Sequence, residues 1–148
     1  MFNKSKNYDP ILRECEQIKA QIHCDFVGFA FQNTIGPDIK WHIAAGNYNE
    51  KYKLISVRYG KGIAGRVIST GGAMTIEDFP NDIVGKALEY PIMLAEKLIY
   101  SFAVPVQFKG MAKGVLLIGN RSNQSLSVQD KLLVKAASSR IEKIINAE

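Results

Sequence analysis

Residues 60–65, Gly-Lys-Gly-Ile-Ala-Gly, constrain this chain more than any other stretch. Three glycines in six residues let the backbone turn tightly and aim several N–H groups at one point. The pattern predicts a helix opening at Ile63, so the unpaired donors of its first turn would face that same point. A turn of this kind can hold a small anion by main chain alone, with Gly62, Ile63 and Ala64 as its candidate residues. Trp41 lies upstream of it and Glu89-Tyr90-Pro91-Ile92 downstream. No equally specific pattern points to catalysis.

The elements around the turn follow from periodicity. Asp9-Pro10 reads as an N-cap with proline at the first helical position. Ile11, Cys15, Ile18 and Ile22 then mark an amphipathic helix of about residues 10–23. Residues 25–32 and 38–44 read as strands, joined by a turn from Asn33 to Asp38 that contains Gly36-Pro37. In the second strand Ile39, Trp41 and Ile43 alternate with Lys40 and His42. After a polar connection, residues 63–70 read as a short helix closed by Gly71-Gly72, 73–76 as a short strand, and 78–82 as a loop.

Tyr90-Pro91 ends one helical turn and starts another helix. Residues 99–108 and 111–119 form a hairpin across Lys109-Gly110. Ser127-Val128-Gln129-Asp130 resembles a capping box. The helix it opens carries Val128, Leu132, Ala136 and Leu133, Ala137, Ile141, Ile144 on its apolar side. This order predicts an α+β fold: an antiparallel sheet, terminal helices on one face, and a ligand pocket under loops and short helices on the other. With 148 residues, 47% of them hydrophobic, the chain is expected to form one domain over residues 1–148 with a sizeable core.

Charge and cysteine usage narrow the class. The net charge is +5, and Lys51, Lys53, Arg58, Lys61 and Arg66 fall in one stretch without an acid. That stretch is either a field that draws anions toward the glycine turn or a solvated basic surface. Nucleic acid fits less well, because Tyr52 and Tyr59 do not build an interleaved stacking platform. No run of 18 apolar residues predicts a membrane span, and the first ten residues lack the apolar segment of a secretory signal. Two cysteines, Cys15 and Cys24, fit neither a disulfide framework nor a Cys-x-x-Cys site, so the expected location is cytoplasmic. Cys15, on the apolar stripe of the first helix, reads as a buried structural thiol.

Two blocks then point to a family. Gly60 to Gly72 with Ile76-Glu77-Asp78, and Ser101 to Val106 running through Gly114-Val115-Leu116, resemble a GAF domain over essentially the whole chain. GAF domains bind cyclic nucleotides, bilins, haem, metals, amino acids or nothing, so the fold alone leaves the ligand open. More narrowly, chain length, Trp41, the Gly-Ile-Ala-Gly turn and Glu89-Tyr90-Pro91-Ile92-Met93 resemble the stand-alone GAF nitrate receptors of staphylococcal two-component systems. The resemblance implies a nitrate pocket walled by Trp41, with main-chain donors around Ile63, Ala64, Tyr90, Pro91 and Ile92. It implies no cofactor other than the ligand nitrate. It also implies a cytosolic sensor histidine kinase and a response regulator as partners, with the nitrate-free receptor restraining kinase phosphorylation. Pro91 has no N–H, so within its segment the donor is Tyr90 or Ile92. Trp41 is read both as pocket floor and as plain core.

Other readings follow from the same residues. A free methionine sulfoxide reductase, the enzymatic GAF relative, needs cysteines lining the pocket, and none follows residue 24 here. Bilin attachment fails for the same reason. His23 and His42 are too few and too far apart in sequence for a metal site, and Glu77-Asp78 reads as part of a loop or cap. The chain is therefore expected to be a non-enzymatic module. The alternatives are a GAF module for another small ligand, and an interaction domain that forms a homodimer through its apolar terminal helices.

Overall fold

The computed structural model describes residues 2–32 and 35–147. Its first helix, α1 (Lys4–Ile22), begins well before the Asp9-Pro10 pair. Asn3 is the N-cap: its side chain accepts from the N–H of Ser5 at 3.0 Å and of Lys6 at 3.3 Å. Asn7 completes the cap by accepting from the N–H of Asn3 at 2.7 Å. This reciprocal pair satisfies the first-turn donors one turn earlier than Asp9 could. Pro10 consequently lies inside the helix. Asn7, Ile11, Cys15, Ile18 and Ile22 form the buried face.

Strands β1 (Phe26–Gln32) and β2 (Asp38–Ala45) pair antiparallel. The expected turn at 33–38 falls partly on Asn33 and Thr34, which lie outside the described residues. A 3-10 turn (Lys51–Leu54) leads to β3 (Ser56–Arg58), an edge strand whose three mostly exposed residues carry no apolar signal in the sequence. Then come α2 (Gly62–Thr70), β4 (Met74–Ile76), a 3-10 turn (Ala87–Glu89), α3 (Pro91–Ala95), the hairpin of β5 (Tyr100–Phe108) and β6 (Met111–Asn120), and α4 (Val128–Asn146). The sheet has the order β3-β2-β1-β6-β5-β4, and every neighbouring pair is antiparallel.

Two cores lie on opposite faces of the sheet. Under the terminal helices, Ile11, Cys15, Phe29, Leu116, Val134 and Ile141 belong to one cluster. On the other face Ala30, Trp41, Ile63, Ile76, Tyr90 and Leu117 belong to the second. The terminal-helix layer is as expected, but α4 is rotated from its predicted stripe. Val134, Ala137, Ser138, Ile141 and Ile145 are buried, whereas Val128 and Leu132 remain 76% and 60% exposed and Ala136 faces solvent. The rotation lets the Ser138 hydroxyl donate to the Pro105 carbonyl at 2.8 Å, and Glu142 accept from the N–H of Gln107, where the β5–β6 register shifts.

The alternation in β2 is also broken. Trp41 pairs with Ala30 but Ile43 pairs with Phe29, so His42 is the extra residue of a β-bulge. Ile39 and Trp41 face the second core, while Ile43 and Ala45 face the helices. The bulge is the reason that one strand serves both cores.

Candidate anion site

The glycine turn is knit together by its own backbone. Lys61 N–H donates to the Arg58 carbonyl, Gly65 N–H to the Lys61 carbonyl and Gly60 N–H to the Gly65 carbonyl, each at 2.9 Å. Gly65 must be glycine, since a Cβ there would lie 2.2 Å from the Arg58 carbonyl oxygen. Gly62 has φ +62° and a Cβ there would meet the Glu89 carbonyl oxygen at 2.8 Å. That approach brings the first turn of α2 against the segment that leads into α3.

Main-chain donors are left over on both segments. Among the described residues nothing accepts from the N–H groups of Gly62, Ile63 and Ala64, as expected for a first helical turn without a side-chain cap. In the second segment Tyr90 N–H donates to the Ala87 carbonyl at 2.9 Å, and Met93 N–H to the Tyr90 carbonyl at 3.0 Å. Pro91 has no N–H, so Ile92 carries the remaining free donor. Of the two N–H groups that segment could offer, that of Tyr90 is engaged and that of Ile92 is not. Because α3 spans only five residues, its dipole adds little beyond that single N–H.

Trp41, Ile63, Ala64, Tyr90 and Ile92 all belong to the second core, each at most 2% exposed. Gly62 is buried beside them and Pro91 is half-buried. The Trp41 ring fits because residue 28 is glycine: a Cβ there would touch its Cζ3 at 3.0 Å and its Cε3 at 3.1 Å. Tyr90 is fixed by donating its hydroxyl to the Val84 carbonyl at 2.7 Å and by the Phe79 ring, 5.9 Å between centroids. Gly28, Phe79 and Val84 were not singled out from sequence. A glycine inside an apolar strand was the one available signal, because it often marks a close approach.

Lys61 is exposed, and Arg66 is half-buried with its Nε lacking a partner. Ser101, fully buried in β5, likewise has an unpartnered hydroxyl. Both cysteines lie in the opposite core, and burial pushes the thiol pKa of Cys24 up to about 11 and that of Cys15 higher still. Among the described residues no three His, Cys, Asp or Glu side chains come together as metal ligands. No helix among them is long and apolar enough to cross a membrane. What the arrangement offers chemically is neutral N–H donors in an apolar setting, which suits a small, weakly hydrated anion.

No protein-family model matches the chain, and no curated protein does so significantly. Solved structures do. The GAF domain of an Acinetobacter phosphoenolpyruvate-protein phosphotransferase superposes with a TM-score of 0.72 at 14% identity, covering 98% of this chain and 94% of that one. A free methionine-R-sulfoxide reductase from Neisseria meningitidis gives 0.78 at 17% identity, with 94% and 77% covered. At such identities the likeness is one of fold, and the fold is that of GAF domains. Far higher in identity is a Staphylococcus aureus NreA protein mutated in its nitrate binding site: 33%, TM-score 0.76, with 84% of this chain and 93% of that one covered. The chain belongs to the NreA family.

Proposed function

We propose that this chain is a nitrate receptor. Nitrate is held by the free N–H groups of Gly62, Ile63, Ala64 and Ile92, with Trp41 as floor and Tyr90 and Pro91 as wall. The observation that carries this reading is the pair of buried segments, joined at Gly62 and Glu89, that keep four main-chain donors unpaired. Buried N–H groups without partners are costly, so a ligand that accepts from them stabilises the fold. The nitrate binding site named for the S. aureus family member supports the same ligand. In this reading the chain acts as one cytosolic domain. Its nitrate-dependent state modulates a sensor histidine kinase of a two-component system that controls nitrate respiration.

Reductase chemistry, known for a protein of the same fold, finds no support at this site, because both thiols lie in the opposite core. The deciding experiment is calorimetric titration of protein grown in nitrate-free medium with nitrate and with cyclic nucleotides. Saturable one-to-one binding of nitrate alone is the expected result. A silent nitrate titration beside a binding cyclic nucleotide would assign the pocket to another ligand.

A further inference from the structure

A second feature lies away from the glycine turn. A cleft of about 200 Å³ is bordered by Phe2, Lys4 and Tyr8 near the start of α1, by Lys40 and His42 of β2, and by Lys53. It also reaches Trp41, at the strand that separates it from the second core. Its charges are all of one sign. Lys53 is held by Glu50 at 2.8 Å, but among the described residues Lys4 and Lys40 have no acidic partner. Lys4 stands in the first turn of α1, which contains no acid, although the positive end of a helix favours one. Both lysines are exposed, so their ammonium groups are open to a ligand in the cleft.

The walls between those cations are aromatic. The Phe2 ring packs on His42 with centroids 4.7 Å apart and planes inclined by 37°, and Tyr8 adds a third ring. Burial, Lys40 and Lys4 lower the pKa of His42 below its ordinary value, so a neutral imidazole is presented at pH 7. The volume limits the ligand further. About 200 Å³ corresponds to roughly six or seven water molecules. That is below the range of about 300–1,000 Å³ for drug-sized ligands, and so too small for a nucleotide.

We propose that this cleft is a second anion site, which takes a small aromatic carboxylate of benzoate size. Its ring lies against Phe2, Tyr8 and His42, and its carboxylate meets the ammonium groups of Lys4 and Lys40. The site is distinct from the main-chain cradle and touches it only through Trp41, the one tryptophan of the chain.

The test uses the full chain with benzoate as probe, followed by calorimetry, Trp41 fluorescence and the imidazole resonances of His42. Saturable binding that shifts His42, with and without saturating nitrate, is expected. Lys4→Gln combined with Lys40→Gln should weaken benzoate by about tenfold, a change of one decade in Kd. The same pair should leave nitrate binding within about twofold, since neither residue belongs to the cradle. Cyclohexanecarboxylate should bind more weakly than benzoate, because it lacks the flat π face. The charge-matched control, Lys86→Gln with Lys143→Gln, should retain benzoate. Equal loss in the control, an unmoved His42, or displacement of benzoate by nitrate would each overturn the proposal. The benzoate affinities, the His42 shift and the control variant do not depend on whether the main-chain cradle holds nitrate.

Discussion

Arg121 donates to Oε1 of Glu96 at 2.7 Å, and Glu96 is the one charged side chain among the described residues that is fully buried. The guanidinium also donates to the Glu96 carbonyl at 2.9 Å and to the Gly46 carbonyl at 3.1 Å, and lies 3.7 Å above the Tyr48 ring. Tyr48 N–H completes the knot by donating to the same carboxylate oxygen at 2.8 Å. The C-terminal end of α3 is thereby tied to the end of β6 and to the loop after β2. Ile92, at the other end of that short helix, inherits a fixed position.

Removing the arginine should therefore be severe. Arg121→Ala leaves a carboxylate buried without its counter-ion, a change that destabilises by about 3–5 kcal/mol. The comparison is Arg140→Ala, an arginine 47% exposed whose partner is Glu14 at 2.8 Å. That loss should stay below about 1 kcal/mol. Urea denaturation measures both, and equal losses would show that the Glu96 pair does not lock α3.

Trp41→Ala is expected to abolish nitrate binding and to destabilise by about 3–5 kcal/mol, because a large buried aromatic is removed. Ala64→Pro deletes one free N–H while adding little volume. It should weaken nitrate in a calorimetric titration with a smaller loss of stability. Unchanged affinity in the proline variant would mean that the cradle lies elsewhere.

Gly62→Ala isolates the geometry of the turn. The added Cβ meets the Glu89 carbonyl oxygen at 2.8 Å and forces a left-handed conformation on alanine. Gly36→Ala shares the positive φ, at +84°, but meets no atom within 4 Å. Gly62→Ala should therefore destabilise by at least about 1 kcal/mol more than Gly36→Ala, in line with the strain and overpacking scales. Only Gly62→Ala should weaken nitrate.

Ion selectivity separates a neutral cradle from a general anion trap. The donors offered by Gly62, Ile63, Ala64 and Ile92 are uncharged, so burying a dianion among them is far costlier than burying nitrate. Thermal shifts in salts of matched ionic strength should rank nitrate well above sulfate. At a hundredfold excess over Kd the stabilisation is about 2.7 kcal/mol. Sulfate raising Tm as far as nitrate, beyond its general salting effect, would contradict neutral donors. Hydrogen exchange should in the same samples slow between Phe79 and Lys97 more than in α1 and α4. If exchange changed uniformly, that segment would not be the element whose population nitrate shifts.

The thiols set an alkaline limit on stability. Burial pushes the pKa of Cys24 from 9.0 to about 11, so the folded state binds a proton that the unfolded chain releases earlier. The Cys24 contribution is then unaffected below about pH 9, falls as pH rises toward 11 and levels off beyond, while that of Cys15, whose pKa is raised further, goes on falling. A shift of this size corresponds to a loss of about 2–3 kcal/mol. Denaturation curves between pH 8 and 11 should show it, and Cys24→Ala with Cys15→Ala should flatten it. An equal decline in the double variant would assign the effect to other groups.

Where local chemistry is strong, sequence and structure agree closely. The hairpin across Lys109-Gly110, the short helix closed by Gly71, the new helix at Pro91 and the α+β layering all follow from apolar periodicity and from residues with restricted or permissive φ. The glycine turn was legible for the same reason. Three features were not. The start of α1 depends on Asn3 and Asn7 capping each other, which outweighs the attraction of proline to a first turn. The rotation of α4 depends on whether Ser138 finds the Pro105 carbonyl, a contact across 33 positions of sequence. The departure of Ile43 and Ala45 from the face of Ile39 and Trp41 depends on the bulge at His42, which alternation cannot anticipate, since a single inserted residue sends everything after it to the other face. The sequence by itself thus determined that the first turn of α2 would leave donors free and that Pro91 would offer none, because a first helical turn and a proline dictate that locally. Only the tertiary structure decided that Gly62 would stand against Glu89 and that Trp41 would turn toward their core, because both depend on which segments pack together.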